Sequence, residues 1–313
     1  MPNKKVVIHI GSYKTATSYI QNFFALNQKE IENQFNLLYP QTGLTKSPTR
    51  GLRHYHLIKA IECSDQSLFK TLCNEINNSS FDTAFISAER LSRLSLNQIE
   101  YFAQQLKSFD VKIVYVLRRQ DRLIESLYAE YVQYHGFKKP PNVFIQKNKR
   151  LLAFNQIIRH WGKHFGSQNI QLLCYETCIK NGLIQHFIRQ VLGKEINIKD
   201  YQEPKNTNPS LGENGTNFML NANNALRKTD TLRKLGLKKA TQPDKPLSIF
   251  SRWERFKFIW HYRRDNLRLI RQTGDNSELA PLLSWRLPHS YKSSLNISQA
   301  LINQIRKEHK AKD

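Results

Sequence analysis

Between Gly11 and Ser18 the chain reads Gly-Ser-Tyr-Lys-Thr-Ala-Thr-Ser, joining an apolar run, Val6–Ile10, to a helical pattern that begins near Thr15. The first N–H groups of a helix have no partner inside it and carry partial positive charge. Lys14 and the hydroxyls of Thr15, Thr17 and Ser18 add charge-assisted hydrogen bonds in the same turn. Such a turn binds an anion, and the expected ligand carries phosphate. A second cation, Arg118, follows another apolar run, Lys112–Leu117, and Ser126 lies eight residues further on. A guanidinium donates two parallel hydrogen bonds to a terminal phosphate. Ser126, two helical turns along, can share that dianion if its helix folds back. Glu89 stands in Phe-Ile-Ser-Ala-Glu-Arg-Leu, just past a third apolar run, Thr83–Ser87. A partly desolvated carboxylate there suits a general base. The structural alternative is a helix-start glutamate held by the dipole, or a surface partner of Arg90 or Arg93.

These residues need a scaffold that gathers them. Short β-branched runs at Lys5–Ile10, Thr83–Ser87, Lys112–Leu117 and Ile170–Tyr175 read as strands covered on both faces. Helical patterns over Thr15–Asn27, Asn97–Ser108, Arg122–Tyr134, Leu151–Phe165 and Leu183–Leu192 alternate with them, the last stopping at Gly193. Alternation of this kind predicts an α/β fold, a doubly wound parallel sheet flanked by helices with ligands at the carboxyl ends of its strands. Pro40–Arg53 and Lys138–Lys149 read as loops, and Tyr201–Gly215, rich in Pro, Asn and Gly, as a lid or linker. Beyond it, Asn217–Leu235 and Phe250–Ile270 are basic helical patterns, Gln272–Ser290 a loop, and Gln299–Lys310 a last helix. The expected domains are a core over residues 1–200 and a basic helical extension over 201–313 that packs on it.

The chain has 313 residues, 40% of them hydrophobic, so it can bury a large core and is not broadly disordered. There is no run of eighteen apolar residues for a membrane span. Met-Pro-Asn-Lys-Lys lacks a signal peptide's apolar region and cleavage site, which points to the cytoplasm. Four cysteines, Cys63, Cys73, Cys174 and Cys178, show neither a Cys-x-x-Cys pair nor a matching His spacing, so no metal site is expected. Net charge is +23, about half of it from Leu226 onward, which implies anionic partners.

The loop does not follow the usual Gly-x-x-x-x-Gly-Lys-[Ser/Thr] order. Gly-x-x-Lys-Thr-x-Thr-Ser instead resembles the 5′-phosphosulfate loop of the sulfotransferases, enzymes that use 3′-phosphoadenosine 5′-phosphosulfate (PAPS). A strand followed by Arg118, with Ser126 at plus eight, resembles their 3′-phosphate segment, and Arg-Arg-Gln-Asp is typical of bacterial members. The resemblance covers roughly residues 4–200, including Tyr175-Glu176 and the Leu-Gly end of the following helix. Beyond it only a turn at Asn208–Leu211 is similar. The resemblance implies a nucleoside-triphosphate-hydrolase-like fold with PAPS as donor and adenosine 3′,5′-bisphosphate as product. Gly11, Ser12, Tyr13, Lys14, Thr15, Ala16, Thr17, Ser18, Arg118 and Ser126 would bind the nucleotide. Lys14 would meet charge on the leaving phosphate, and no metal is needed. It also implies Glu89 as base, as in many bacterial and glycan-modifying members. Small-molecule members are similar but use a histidine, which makes His54 and His56, in Arg-His-Tyr-His-Leu, acceptor-site candidates. His9, inside the first strand, reads as buried structure.

The expected reaction is sulfuryl transfer to an acceptor hydroxyl, with carbohydrate favoured and a small phenol or lipid as the alternative. A kinase or NTPase would need magnesium, an acidic ligand and a glycine-lysine loop, and the loop order argues against it. Nucleic-acid binding rests on charge alone, without a recognised motif. The basic tail suits a solvated helix face, an acidic glycan or an anionic membrane surface. Trp253, Phe256, Ile259 and Trp260 share one helical face, which suits packing on the main domain ahead of an interfacial helix.

Overall fold

A computed structural model describes residues 3–47, 51–204, 211–225, 247–274 and 276–285. The chain divides into two compact units, one drawn from 1–119, 153–207 and 264–284, the other from 120–152, 208–263 and 285–313. The first unit opens with β1 (Lys5–His9), α1 (Thr17–Leu26), α2 (Gln28–Phe35) and β2 (Leu37–Leu38). A hairpin of β3 (Thr45–Ser47) and β4 (Gly51–Arg53) follows, then α3 (Tyr55–Glu62), α4 (Gln66–Asn78) and β5 (Thr83–Ser87). A 3-10 turn, Glu89–Arg93, leads to α5 (Leu96–Gln105) and β6 (Asp110–Leu117). Helices α6 (Gln120–Tyr134) and α7 (Pro141–Leu152) belong to the second unit. The chain returns to the first with α8 (Phe154–Phe165), β7 (Ile170–Cys174), α9 (Tyr175–Lys180) and α10 (Leu183–Leu192). After α11 (Glu213–Ala225) of the second unit, α12 (Arg252–Thr273) contributes to both, and α13 (Asn276–Leu279) lies in the first.

The sheet order is β2-β5-β1-β6-β7, parallel throughout, with Ile8 opposite Ile86 on one side and Ile113 on the other. Strand residues Val6–Ile8, Ala84–Ile86 and Ile113–Leu117 are buried, as both-face coverage requires. Phe23 and Phe24 of α1 pack with Phe85 and Phe187, the Phe24–Phe85 ring centroids lying 4.4 Å apart. The central position of β1 brings the carboxyl ends of β5 and β6 to either side of the loop that leaves it.

The second unit is held by aromatic and ionic contacts. Tyr128, Tyr131, Phe137 and Phe144 pack edge to face. Asn223 of α11 donates to the Val132 carbonyl at 2.7 Å. Arg255 is buried between Asp121 (2.6 Å) and Glu125 (3.0 Å) and donates to Ser248 Oγ at 2.8 Å. Burial pushes the Glu125 carboxyl above its usual range while Arg255 opposes the shift.

Several expectations change. Lys138–Lys149 is largely helical, because Pro141 can open a helix and Phe144, Asn148, Leu151 and Leu152 then fall on one buried face. The helix expected over Leu151–Phe165 is therefore two, broken at Ala153. The Pro40–Arg53 loop contains the β3–β4 hairpin. The start of the expected linker is pinned: Gln202 exchanges hydrogen bonds of 2.8 and 2.9 Å with Asn27. In Gln272–Ser290 the described residues form α13 and a 3-10 turn, Ala280–Leu283. The rest of that loop, most of Asn217–Leu235 past Ala225 and the helix expected at Gln299–Lys310 lie outside the described residues. The aromatic face of α12 is not packed: Trp253, Phe256 and Trp260 are exposed and only Ile259 is buried. A helix turns by about 100° per residue, so the Asp121–Glu125 pull on Arg255 buries the side carrying Arg255 and Ile259 and turns the aromatics outward.

Candidate active site

The loop after β1 begins by extending the sheet. Ser12 N–H donates to the Val116 carbonyl at 2.9 Å, and Val116 N–H to the Gly11 carbonyl at 2.7 Å. Gly11 has φ +98°, and a Cβ there would lie 3.0 Å from Glu89 Cα, so the loop runs directly against the main chain of Glu89. Lys14 and Ala16 are left-handed, both with φ 58°. That conformation costs a non-glycine residue about 1 kcal/mol, and within a turn it directs successive N–H groups into one anion-holding concavity. Thr15 and Thr17 close the loop on itself, donating to the Ser12 carbonyl at 2.8 and 3.1 Å. Thr15 is fully buried, Lys14 half-buried, and Ser18 exposed in the first turn of α1.

Arg118, just past β6, donates from Nη1 to the Lys14 carbonyl at 2.8 Å, and its guanidinium lies 4.8 Å from the ring centre of Tyr175. Its Nε is buried with no hydrogen-bond partner among the described residues, which fits an anion reaching the guanidinium. Arg119 is buried and donates to the Ser284 carbonyl at 3.1 Å. Ser126 is half-buried on α6, in the second unit.

Glu89 opens the 3-10 turn after β5. Its partner is Arg53 of β4, not Arg90 or Arg93: Nη1 meets Oε1 at 2.7 Å, with side-chain exposures of 12% and 16%. Gln21 of α1, fully buried, directs Nε2 toward Glu89 Oε2 at 3.5 Å and toward Ser87 Oγ at 3.1 Å. Ser87 Oγ in turn lies 3.0 Å from His9 Nδ1. His9 is buried structure, as expected, and burial lowers its pKa to about 3. Around Glu89, Arg53 and Arg90 lie over the Tyr55 ring at 5.0 and 5.5 Å, and Arg93 over Tyr13 at 4.6 Å.

His54 is fully buried and supports the scaffold. Nδ1 accepts from Ser87 N–H at 3.1 Å and Nε2 donates to the Pro40 carbonyl at 3.0 Å, so neither nitrogen is left for an acceptor. Burial lowers its pKa to about 4. His56 is exposed on α3.

Sequence reasoning missed Gln21 and Arg53. Gln21 left one signal, a polar residue beside Ile20 on the apolar face of α1. Arg53 left none, since it reaches Glu89 across 36 positions. Fold and not spacing also assembles Cys178, His186 and Glu278, whose donor atoms all lie within 4.8 Å. His186 Nε2 lies 2.9 Å from Glu278 Oε2, and Cys174 N–H donates to Oε1 at 2.8 Å, so the group forms a buried latch between α10 and α13.

No family model matches the chain. An uncharacterized protein of Archaeoglobus fulgidus is 28% identical over 196 residues, 60% of this chain and 52% of that one. The chain thus spans about half the length of the curated relative it matches. Its structural neighbours are sulfotransferases. The sulfotransferase of Alicyclobacillus acidocaldarius is 12% identical with a TM-score of 0.38, over 77% of this chain and 92% of that one. A sulfotransferase domain from the curacin biosynthetic pathway is 16% identical with a TM-score of 0.39, over 67% and 81%. A mouse sulfotransferase complexed with PAP is 16% identical with a TM-score of 0.33, over 63% and 61%.

Proposed function

We propose that this protein is a cytoplasmic sulfotransferase that moves a sulfuryl group from PAPS to an acceptor hydroxyl, with a carbohydrate as the acceptor class. The observation that carries the reading is the meeting of three strand ends. The Lys14 loop leaves β1, Glu89 follows β5, and Arg118 follows β6, and the three strands are neighbours in the sheet. Adjacent strands stand about 4.8 Å apart, so cation, carboxylate and arginine follow neighbouring strand ends at the carboxyl edge, where open parallel sheets bind ligands.

In this reading the loop from Gly11 to Ser18 holds the 5′-phosphosulfate through main-chain N–H groups and the Lys14 ammonium. Arg118 takes the 3′-phosphate. Glu89 accepts the acceptor's hydroxyl proton. The acceptor oxygen forms a bond to sulfur as the sulfur–oxygen bond to the phosphate breaks, and Lys14 meets the negative charge left on that phosphate. Positioning and charge stabilisation supply most of the acceleration. Arg53 fixes Oε1 of Glu89 and Gln21 faces Oε2, which sets the carboxylate's orientation. The guanidiniums of Arg53, Arg90 and Arg93, gathered on this side of the sheet, favour an acidic acceptor. Calorimetric titration with adenosine 3′,5′-bisphosphate and with ATP, both without magnesium, tests the donor site. Tight binding of the bisphosphate over ATP is expected; equal or absent binding of the bisphosphate overturns the reading.

A further inference from the structure

The second unit carries a surface that sulfuryl transfer does not use. Along the exposed side of α12, Trp253 and Trp260 are each 63% exposed, and Phe256 and Trp285 37%. They form one continuous patch. Trp253 and Phe256 stack with ring centres 5.5 Å apart, Phe256 and Trp285 at 5.3 Å, and Trp260 and Trp285 at 5.9 Å. Lys257 Nζ lies 5.3 Å from the Trp253 ring centre and the Arg263 guanidinium 4.6 Å from that of Trp285. Arg252 is exposed beside them. The acid on this stretch, Glu254, caps the helix by accepting from Ser251 N–H at 2.8 Å.

Leaving four large aromatics in water forfeits the burial that normally places them inside, and contiguous apolar patches rimmed by charge mark contact surfaces. Two chemistries suit aromatics interleaved with cations: a sugar stacked on an open ring face, and the headgroup boundary of an anionic bilayer. Each ring here already shares a face with a neighbour or a cation. That leaves little open face for a sugar, but it presents apolar bulk with ammonium and guanidinium groups at its rim. Tryptophan seats at the lipid interface, and basic side chains add attraction to anionic headgroups. No helix of the described residues is long and apolar enough to cross a membrane, so the contact is peripheral.

We infer that the Trp253–Phe256–Trp260–Trp285 face, with Lys257, Arg263 and Arg252, docks this protein on an anionic lipid surface. The geometry lies within the second unit and does not depend on the donor-site reading.

The chain has four tryptophans, and Trp161 is buried, so tryptophan emission reports chiefly on this patch. The test is sedimentation and emission with vesicles of phosphatidylcholine containing phosphatidylglycerol, against phosphatidylcholine alone, for the full chain and a Trp253→Ala/Trp260→Ala variant. The expected result is a blue-shifted emission and pelleting with anionic vesicles at low salt, with weak binding to neutral ones. The double variant should bind at least about tenfold more weakly. Its far-ultraviolet circular dichroism and urea midpoint should match those of the unsubstituted chain, and that control separates loss of the surface from loss of fold. A Lys257→Glu variant should weaken pelleting with anionic vesicles. Absence of binding to anionic vesicles, equal binding to neutral ones, or an undiminished double variant overturns the inference. So does a blue shift with a soluble acidic polysaccharide but not with vesicles, which would reassign the patch to glycan.

Discussion

Arg118 holds the main-chain carbonyl of Lys14 at 2.8 Å across 104 positions of sequence. The arginine thus has two roles in the proposed donor site: it would bind one phosphate, and it braces the loop that would bind the other. Arg118→Ala should weaken adenosine 3′,5′-bisphosphate by about a hundredfold, as loss of a charge-assisted fork implies. Because the brace goes too, adenosine 5′-phosphosulfate, which lacks the 3′-phosphate, should also bind several-fold more weakly. Calorimetry with both ligands separates the roles.

Lys14→Ala and Glu89→Gln should each lower transfer by about a thousandfold or more, since each removes a group acting on charge or a proton in the transition state. They should differ in binding. Lys14→Ala weakens the nucleotide, whereas Glu89→Gln leaves bisphosphate affinity within about threefold while leaving Arg53 without its carboxylate, at a stability loss of about 1–3 kcal/mol. A PAPS transfer assay beside urea melts reads both effects.

Gly11→Ala places a methyl 3.0 Å from Glu89 Cα at φ +98°. The main chain there cannot yield as a flexible side chain would. A loss of about 2 kcal/mol or more in stability is expected, together with weakened bisphosphate binding, because the loop and Glu89 must part. Denaturant midpoints and calorimetry would show it.

Acid should destabilise the first unit through its buried imidazoles. Unfolded His54 takes up a proton near pH 6.5, while folded His54 stays neutral down to about pH 4. Stability is therefore full above pH 6.5, falls as pH drops toward 4, and levels off below. One such group contributes roughly 3 kcal/mol over that window. His54→Gln should start less stable at pH 7.5 and show a shallower decline from pH 6.5 to 4.5 in urea melts.

Arg255→Met removes the cation from between Asp121 and Glu125, leaving two carboxylates buried. Breaking a buried ionic group this way costs about 3–5 kcal/mol. Replacing all three together, with Asp121→Asn and Glu125→Gln, should recover much of that loss. Chemical denaturation of the single and triple variants tests the difference.

What could be read from the residues was what neighbours in sequence determine. Thr83–Ser87 emerges as a strand over the expected span, and Gly11–Ser18 leads from β1 into the first turn of α1, because apolar runs and a strand-to-helix turn are local signals. Leu37–Leu38 is too short to show any period, so the edge strand β2 left no trace. The Pro140-Pro141 pair read as a loop although proline opens α7. Arg53 and Gln21 reach Glu89 across 36 and 68 positions, where only the closed fold supplies the contact. The outward face of α12 is decided by Arg255, whose carboxylate partners sit more than a hundred positions away.

The central place of β1 also has a kinetic consequence. Its neighbours are β5 and β6, which end at Ser87 and Leu117. On the ribosome, Lys5–His9 waits for more than a hundred further residues before both its edges are paired, a long-range closure of the kind that slows folding. Until then the glycine turn has no β6 carbonyl to lean on and no Glu89 main chain beside it. The Gly11–Ser18 loop is thus made well before the strands that give it its shape.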